Sequence, residues 1–103
     1  MTHSIGDKLS GFKREITQER VNSYAEASGD HNPIHLDAAY AASTQFGTRI
    51  AHGMLSLALV TEMLAIDFPK TWHSGGNLKV RFSAPVISGE TVTIYGEITD
   101  ITK

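Results

Sequence analysis

The sequence contains no cysteine, and its positive charges do not outnumber its negative ones. The lack of cysteine excludes disulfide bonds, thiolate zinc sites and a cysteine nucleophile. Nine Lys and Arg residues stand against 11 Asp and Glu residues, which gives a formal net charge of -2. This balance lacks the excess of basic residues that is typical of proteins binding nucleic acid or an anionic membrane surface. We therefore expect neither partner.

Long hydrophobic runs are also missing. The most apolar stretch, Met54–Ile66, is interrupted by Ser56, Thr61 and Glu62, and no segment reaches the roughly 18 apolar residues of a membrane span. The N-terminus carries no hydrophobic segment of the kind found in secretory signals. Residues 1–103 have the length of one domain. These features predict a single cytoplasmic domain.

The first half of the chain has the signals of one strand and one helix. Loose alternation predicts a first strand over residues 8–16. Thr17 is a suitable N-cap for a helix over 18–28, and Gly29 is a suitable C-terminal stop. Ile16 and Val21 have the spacing of a hydrophobic staple across that cap.

Two more helices are predicted after a turn-rich segment. Asp37 is placed to cap a short helix from Ala38 to about Thr44. A long helix is predicted over about 54–66, and it is apolar on nearly all sides. A helix without a polar face is expected to be wrapped by the rest of the fold.

The pattern in the second half of the sequence predicts antiparallel strands. Residues 77–82 alternate with Leu78, Val80 and Phe82 on one face, and residues 91–101 alternate as well. Helices followed by strands around one buried helix predict an α+β fold with an antiparallel sheet.

The densest polar segment contains Asp30, Asn32, Pro33 and His35. Pro33 disfavours a helix through this stretch, so the bend could direct Asp30 and His35 into one space. A carboxylate and an imidazole together can activate a water molecule and move its protons. The alternative is that Asp30 and Asn32 only form side-chain turns with the local backbone.

The start of the long helix offers a second candidate feature. Gly53 leaves backbone N–H groups unshielded, so that a ligand oxygen could approach them as in an oxyanion hole. Thr61 is a polar residue on the same helix, roughly two turns later. It could bond to a catalytic carboxylate, or it could bond back to its own helix.

A metal site is not expected. His31 and His35 are four residues apart, but Pro33 lies between them and denies them a regular helix face. His52 and His73 are also present, yet no H-E-x-x-H motif occurs. No cofactor-binding fingerprint is found either.

Three segments in order resemble the MaoC-like, or hydratase 2, family of (R)-specific enoyl-CoA hydratases. Residues 24–42 (YAEASGDHNPIHLDAAYAA) resemble the family's signature almost position by position. Residues 50–54 (IAHGM) resemble its second motif, and residues 82–92 (FSAPVISGETV) resemble its third. The three motifs together are far more specific than any one of them.

The resemblance implies a hot-dog fold, in which an antiparallel sheet curls around a long central helix. It implies reversible addition of water to a trans-2-enoyl-CoA, which gives the (R)-3-hydroxyacyl-CoA. By the same resemblance Asp30 and His35 are the catalytic pair, and the N–H of Gly53 holds the thioester oxygen. Asn32 fixes the loop, and Thr61 places a hydroxyl near Asp30. No cofactor is needed, and a homodimer or higher oligomer is expected.

The chain departs from the family in one respect. Members continue past the third motif with two further strands, whereas this sequence ends at Lys103, soon after the strand predicted to end near Ile101. We therefore expect a hot-dog domain that lacks the last two strands. It is either shortened at its C-terminal end or completed by strands of a partner or swapped copy. The remaining alternative is that the predicted strand boundary is wrong and the chain packs differently.

Two other functions stay open at this point. The first is a dehydratase that acts on a 3-hydroxyacyl-acyl-carrier protein or on a branched acyl-CoA. The second is a non-catalytic subunit that binds a thioester or a partner in a hot-dog heterodimer.

Overall fold

The computed structural model describes residues 3–102. Within this range the chain forms two strands and five helices. In chain order they are β1 (Phe12–Glu15), α1 (Gln18–Ser28), α2 (Pro33–Leu36), α3 (Ala38–Ala42), α4 (Gly53–Asp67), α5 (Trp72–Gly75) and β2 (Thr91–Ile94).

The two strands form one antiparallel sheet, in which Phe12 lies opposite Ile94. Pairing continues irregularly beyond the strands, since Lys8 bridges to Glu97 and the N–H of Leu9 donates to the carbonyl of Gly96 at 2.9 Å. The strands predicted over 8–16 and 91–101 are therefore in the right place, but their regular parts are shorter. They pair with each other in antiparallel orientation, which agrees with the predicted antiparallel sheet.

The strand predicted over residues 77–82 is wrong, because the described structure contains no strand there. The alternation of apolar and polar residues indicates which side chains would share a face of a strand. A strand also needs a neighbouring strand that forms hydrogen bonds with its backbone. Among residues 3–102, no neighbouring strand pairs with the segment. Leu78, Val80 and Phe82 remain exposed as a result.

Helix α1 has the predicted ends. The hydroxyl of Thr17 accepts a hydrogen bond from the N–H of Arg20 at 3.1 Å, which satisfies one of the free donors at the helix start. Gly29 ends the helix in the left-handed region with φ of +78°. Ile16 and Val21 are both fully buried, as the staple requires. The helix ends immediately before Asp30.

Helices α2 and α3 follow, separated from each other by Asp37 alone. Pro33 is predicted to disfavour a helix through the stretch that contains Asp30 and His35. Residues 29–32 are outside any helix, but Pro33 itself occupies the first position of α2, where its missing N–H costs nothing, and α2 includes His35. Asn32 caps this helix through its side chain. Asp37 caps α3 as predicted, although α3 ends at Ala42. Helix α5 was not predicted.

Helix α4 is the longest helix described, with 15 residues, and spans the predicted range with one extra residue at each end. Leu59 and Met63 are buried against the sheet, whereas Met54 and Ile66 are both 55% exposed. The prediction that the fold wraps the whole helix is wrong for this chain, because a two-stranded sheet covers only part of its surface. None of the helices within residues 3–102 is long and apolar enough to cross a bilayer.

Polar contacts fix α4 to the first strand and the segment before it. The guanidinium of Arg14 donates two hydrogen bonds to the carboxylate of Glu62, at 3.1 and 2.9 Å. Near the end of the helix, the carboxylate of Asp67 accepts from the N–H and the hydroxyl of Ser10, at 2.7 and 2.6 Å. These contacts set the position of α4 relative to the sheet, and α4 in turn carries Gly53.

Candidate active site

Three neighbouring parts of the fold carry the candidate residues. Asp30 lies in the turn between α1 and α2, His35 lies on α2, and Gly53 is the first residue of α4. One carboxylate oxygen of Asp30 and one ring nitrogen each of His35 and His52 lie within 4.8 Å of one another. The fold therefore brings Asp30 and His35 together, as the sequence predicts.

His35 is buried, and its ring has a defined orientation. The Nδ1 atom lies 2.7 Å from the carbonyl oxygen of Ile50. Because a carbonyl can only accept a hydrogen bond, Nδ1 carries the proton and Nε2 of the neutral ring keeps its lone pair. The backbone of His35 is held as well, since the side chain of Gln18 donates to its carbonyl at 2.8 Å. His35 thus offers a basic nitrogen at Nε2.

Asp30 is exposed, and only one oxygen of its carboxylate accepts a hydrogen bond from the backbone. Oδ1 accepts a hydrogen bond from the N–H of Asn32 at 3.2 Å. The side chain of Asn32 accepts from the N–H of Ile34 at 3.0 Å, which caps α2. Both residues therefore form the local turns that were the alternative to a catalytic role. The two interpretations are compatible, because the second oxygen of Asp30 makes no hydrogen bond among the described residues.

His52 is the residue that sequence reasoning missed. Its ring stacks on that of His35, with centroids 3.8 Å apart and planes inclined by 28°. Tyr24 packs against His52 at 4.8 Å between ring centroids. The available signal was its position directly before Gly53, but nothing in the sequence indicated that the two imidazoles would stack.

The cluster of Asp30, His35 and His52 has donor atoms that could bind a divalent cation. A tetrahedral metal needs ring lone pairs that converge on one point about 2.0 to 2.1 Å from each nitrogen. The lone pairs lie in the ring planes, and two stacked planes only 28° apart direct them nearly parallel. The arrangement is therefore poorly suited to an ion shared by both rings, and the lack of a metal stays a prediction.

Gly53 opens onto a pocket that His35 also lines. The pocket has a volume of about 440 Å³, and Phe82 forms part of its wall. The residue before Gly53 makes no side-chain cap, so the first N–H groups of α4 are not covered from that side. A Cβ atom at Gly53 would lie 3.2 Å from the ring of Phe82, closer than ordinary contact. The free space at this position therefore depends on glycine.

Asp30 does not line that pocket, and neither does Thr61. Thr61 donates its hydroxyl to the carbonyl of Ala58 at 2.8 Å, which is the alternative that the sequence left open for it. No hydrogen bond between Thr61 and Asp30 occurs within residues 3–102. A larger pocket, of about 590 Å³, lies beside α1 and contains none of the candidate residues.

His31 is next to Asp30 in sequence but lies outside the cluster. Its exposed ring is hydrogen-bonded to Glu26 at 3.2 Å through Nε2 and to the carbonyl of Gly29 at 3.3 Å through Nδ1. The hydrogen bond to Glu26, and then that to Gly29, raise the pKa of His31 above its usual value. Because both nitrogens are engaged, His31 is not a candidate base.

Comparison with known proteins places these features in a family. The sequence profile of the family described as MaoC like domain matches residues 2–103. The chain is 47% identical over 90 residues to the 3-hydroxyacyl-thioester dehydratase Z of Mycobacterium tuberculosis, covering 84% of this chain and 60% of that protein. It is 38% identical to the 3-hydroxybutyryl-CoA dehydratase of Methylorubrum extorquens, covering 87% of this chain and 57% of the relative. The chain thus spans less than two thirds of both proteins.

Similar solved structures include an (R)-hydratase of Aeromonas caviae that is involved in PHA biosynthesis. The match has a TM-score of 0.84 at 30% sequence identity, and it covers 99% of this chain and 76% of that one. The likeness extends over the sheet, α4 and the turn that carries Asp30, since nearly all of the chain is aligned. From the profile match and these similarities, the chain belongs to the MaoC-like family and has the architecture of part of a hot-dog domain.

Proposed function

We propose that the chain is the part of a lyase that carries the residues for adding water to a trans-2-enoyl thioester, and for the reverse dehydration. The observation that carries the proposal is the approach of the Asp30 carboxylate to within 4.8 Å of a His35 nitrogen. His35 and Gly53 in turn open onto one pocket. The relatives named as hydratases and dehydratases support this choice of reaction.

The reaction follows from the charges that each group can stabilise. A water molecule held between Asp30 and Nε2 of His35 loses a proton to the pair as its oxygen bonds to C3 of the enoyl group. The C2–C3 π electrons move toward the thioester, and the N–H of Gly53 stabilises the enolate oxygen. The pair then returns a proton to C2, so one water is added across the double bond. Asn32 holds the turn on which Asp30 sits.

The substrate is proposed to be an acyl-CoA and the product its (R)-3-hydroxyacyl form, in keeping with the (R)-hydratase among the similar structures. The active species is proposed to be a homodimer or higher oligomer. Cytoplasmic location stays a prediction. A panel of CoA and acyl-carrier-protein thioesters identifies the carrier, and a chain that binds both but hydrates neither would support the non-catalytic alternative.

The test is hydration of trans-2-butenoyl-CoA by the purified chain and by Asp30→Asn. We expect the variant to lose about 100- to 10,000-fold in kcat, because the carboxylate that holds and polarises the water is gone. His31→Gln is the matched control, since it changes the neighbouring residue, whose ring is engaged by Glu26 and Gly29. Equal rates for the wild type and Asp30→Asn would contradict the proposal.

A further inference from the structure

We infer that His52 is a positioning residue that holds Asp30 and His35 in their relative places. The inference rests on the proposed function and adds a third side chain to it. His52 is 3% exposed, although imidazoles are usually found at least partly in contact with water. A buried ring of this kind requires a structural explanation, and its contacts supply one.

His52 contacts both proposed catalytic residues, in different ways. Its Nε2 lies 3.0 Å from the backbone carbonyl of Asp30, which can only accept, so Nε2–H is the donor. Its ring stacks on that of His35 with centroids 3.8 Å apart. The hydrogen bond therefore restrains the turn that carries the carboxylate, while the stack restrains the ring that carries the base.

The hydrogen bond to the carbonyl of Asp30 also defines the tautomer of His52. With the proton on Nε2, Nδ1 of the neutral ring has only a lone pair, and this atom is buried without a hydrogen-bond partner in the described structure. His52 is thus the Nε2–H tautomer, whereas His35 is the Nδ1–H tautomer.

The turn has reason to need such a restraint. Asp30 is exposed and follows Gly29, whose backbone lies in the left-handed region. Its other hydrogen bonds are local, from its N–H to Ser28 and from the N–H of Asn32 to its carboxylate, both at 3.2 Å. His52 connects this turn to the start of α4, where Gly53 lies. A displacement of about 1 Å between reacting groups is enough to lower a rate by about 100-fold.

Two variants separate the hydrogen bond from the packing. His52→Phe keeps a buried ring for the stack but removes the donor, while His52→Gln keeps an amide N–H and removes the ring. We expect His52→Phe to keep or raise the Tm, because it replaces an unpaired buried nitrogen, yet to lower kcat about 100-fold with little change in KM. We expect His52→Gln to recover part of that loss. His73→Phe, at an exposed histidine, is the matched control.

If His52 served stability alone, the kcat of its variants would fall only when their Tm falls. A kcat for His52→Phe within about threefold of the wild-type value would therefore overturn the inference. If Asp30→Asn is inactive while His52→Phe is fully active, only the present inference fails. If the wild type is no faster than Asp30→Asn, the proposed function fails instead.

Two readouts do not depend on activity. Long-range ¹H–¹⁵N correlation spectra of the wild type should show the proton of His52 on Nε2, and a proton on Nδ1 alone would overturn the inference. Amide exchange at Asp30 and Asn32 should accelerate in His52→Phe more than in His52→Gln. Unchanged exchange in both variants would mean that His52 does not hold the turn.

Discussion

At the scale of single residues, the missing side chain of Gly53 matters as much as the side chains that are present. Gly53 lies at an uncapped helix start, on the wall of the pocket that His35 also lines. An added Cβ would meet the ring of Phe82 at 3.2 Å, and in the proposed mechanism it would stand where the thioester oxygen approaches the N–H of Gly53. Gly53→Ala keeps the N–H but obstructs the approach to it.

We expect Gly53→Ala to lower kcat/KM for trans-2-butenoyl-CoA by about 100-fold, because it displaces the substrate by roughly the size of a methyl group. Steady-state kinetics measures this directly. Gly75→Ala is the control, since a Cβ at Gly75 meets nothing within 4 Å. Unchanged kinetics for Gly53→Ala, with Gly75→Ala equally active, would remove Gly53 from the proposed mechanism.

Asp30, His35 and Gly53 could be named as candidates from the sequence because turn chemistry is a local signal, and the resemblance to a known family implied their roles. His52 could not, because its importance depends on a carbonyl 22 residues earlier in the chain and on ring stacking. For Thr61 the sequence left two options open. In the structure, Thr61 bonds back to its own helix, because its hydroxyl donates to the carbonyl of Ala58.

At the scale of elements, the ion pair between Arg14 and Glu62 connects β1 to α4. The guanidinium of Arg14 holds the pKa of Glu62 below its usual value of 4.5, mainly through the hydrogen bond and less through charge. A carboxylate with a lowered pKa in the folded state stabilises the fold above its unfolded pKa. That stabilisation disappears as the pH falls through the folded value.

We therefore expect Glu62→Gln to lower the Tm at pH 7, and the difference from the wild type to shrink as the pH falls below 4.5. Thermal unfolding followed by circular dichroism over this pH range tests it. Glu97→Gln is the control, because it removes an ion pair whose Lys8 side chain is 77% exposed, and such pairs contribute little. A Tm difference that is constant down to pH 2 would contradict the account.

The elements whose limits were predicted best are those set by local chemistry. Thr17 and Gly29 fix both ends of α1, and Asp37 fixes the start of α3. The strand over residues 77–82 was predicted wrongly. A strand needs a neighbouring strand to pair with, and the alternation within a segment does not show whether such a neighbour exists. The apolar α4 was correctly located, yet how much of it is covered depends on the rest of the sheet.

At the scale of the whole molecule, the chain is more extended than a compact domain of its length. Its radius of gyration is 16.1 Å and its longest extent 52 Å, whereas a domain of this size usually has a radius near 13 Å. Apolar side chains are exposed on α4 and on the segment over residues 77–82. Such surfaces are typical of faces that another chain covers.

We expect the purified chain to self-associate, and Val80→Asp to weaken that association, because Val80 is 46% exposed and lies between the exposed side chains of Leu78 and Phe82 in the sequence. Sedimentation velocity over a range of concentrations measures the effect. Lys79→Asp is the control, since it places the same carboxylate at the neighbouring exposed position without removing an apolar side chain. A wild type that is monomeric at all concentrations would contradict the expected oligomer.

The central claim is that Asp30 and His35 act together on one water molecule. The most direct measurement is kcat/KM for hydration of trans-2-butenoyl-CoA by the wild type, Asp30→Asn, His35→Gln and the double variant. Residues that act as a unit give strongly non-additive losses. We predict that the double variant is about as slow as the slower single variant. Losses that multiply, or a wild type no faster than either single variant, would contradict the account.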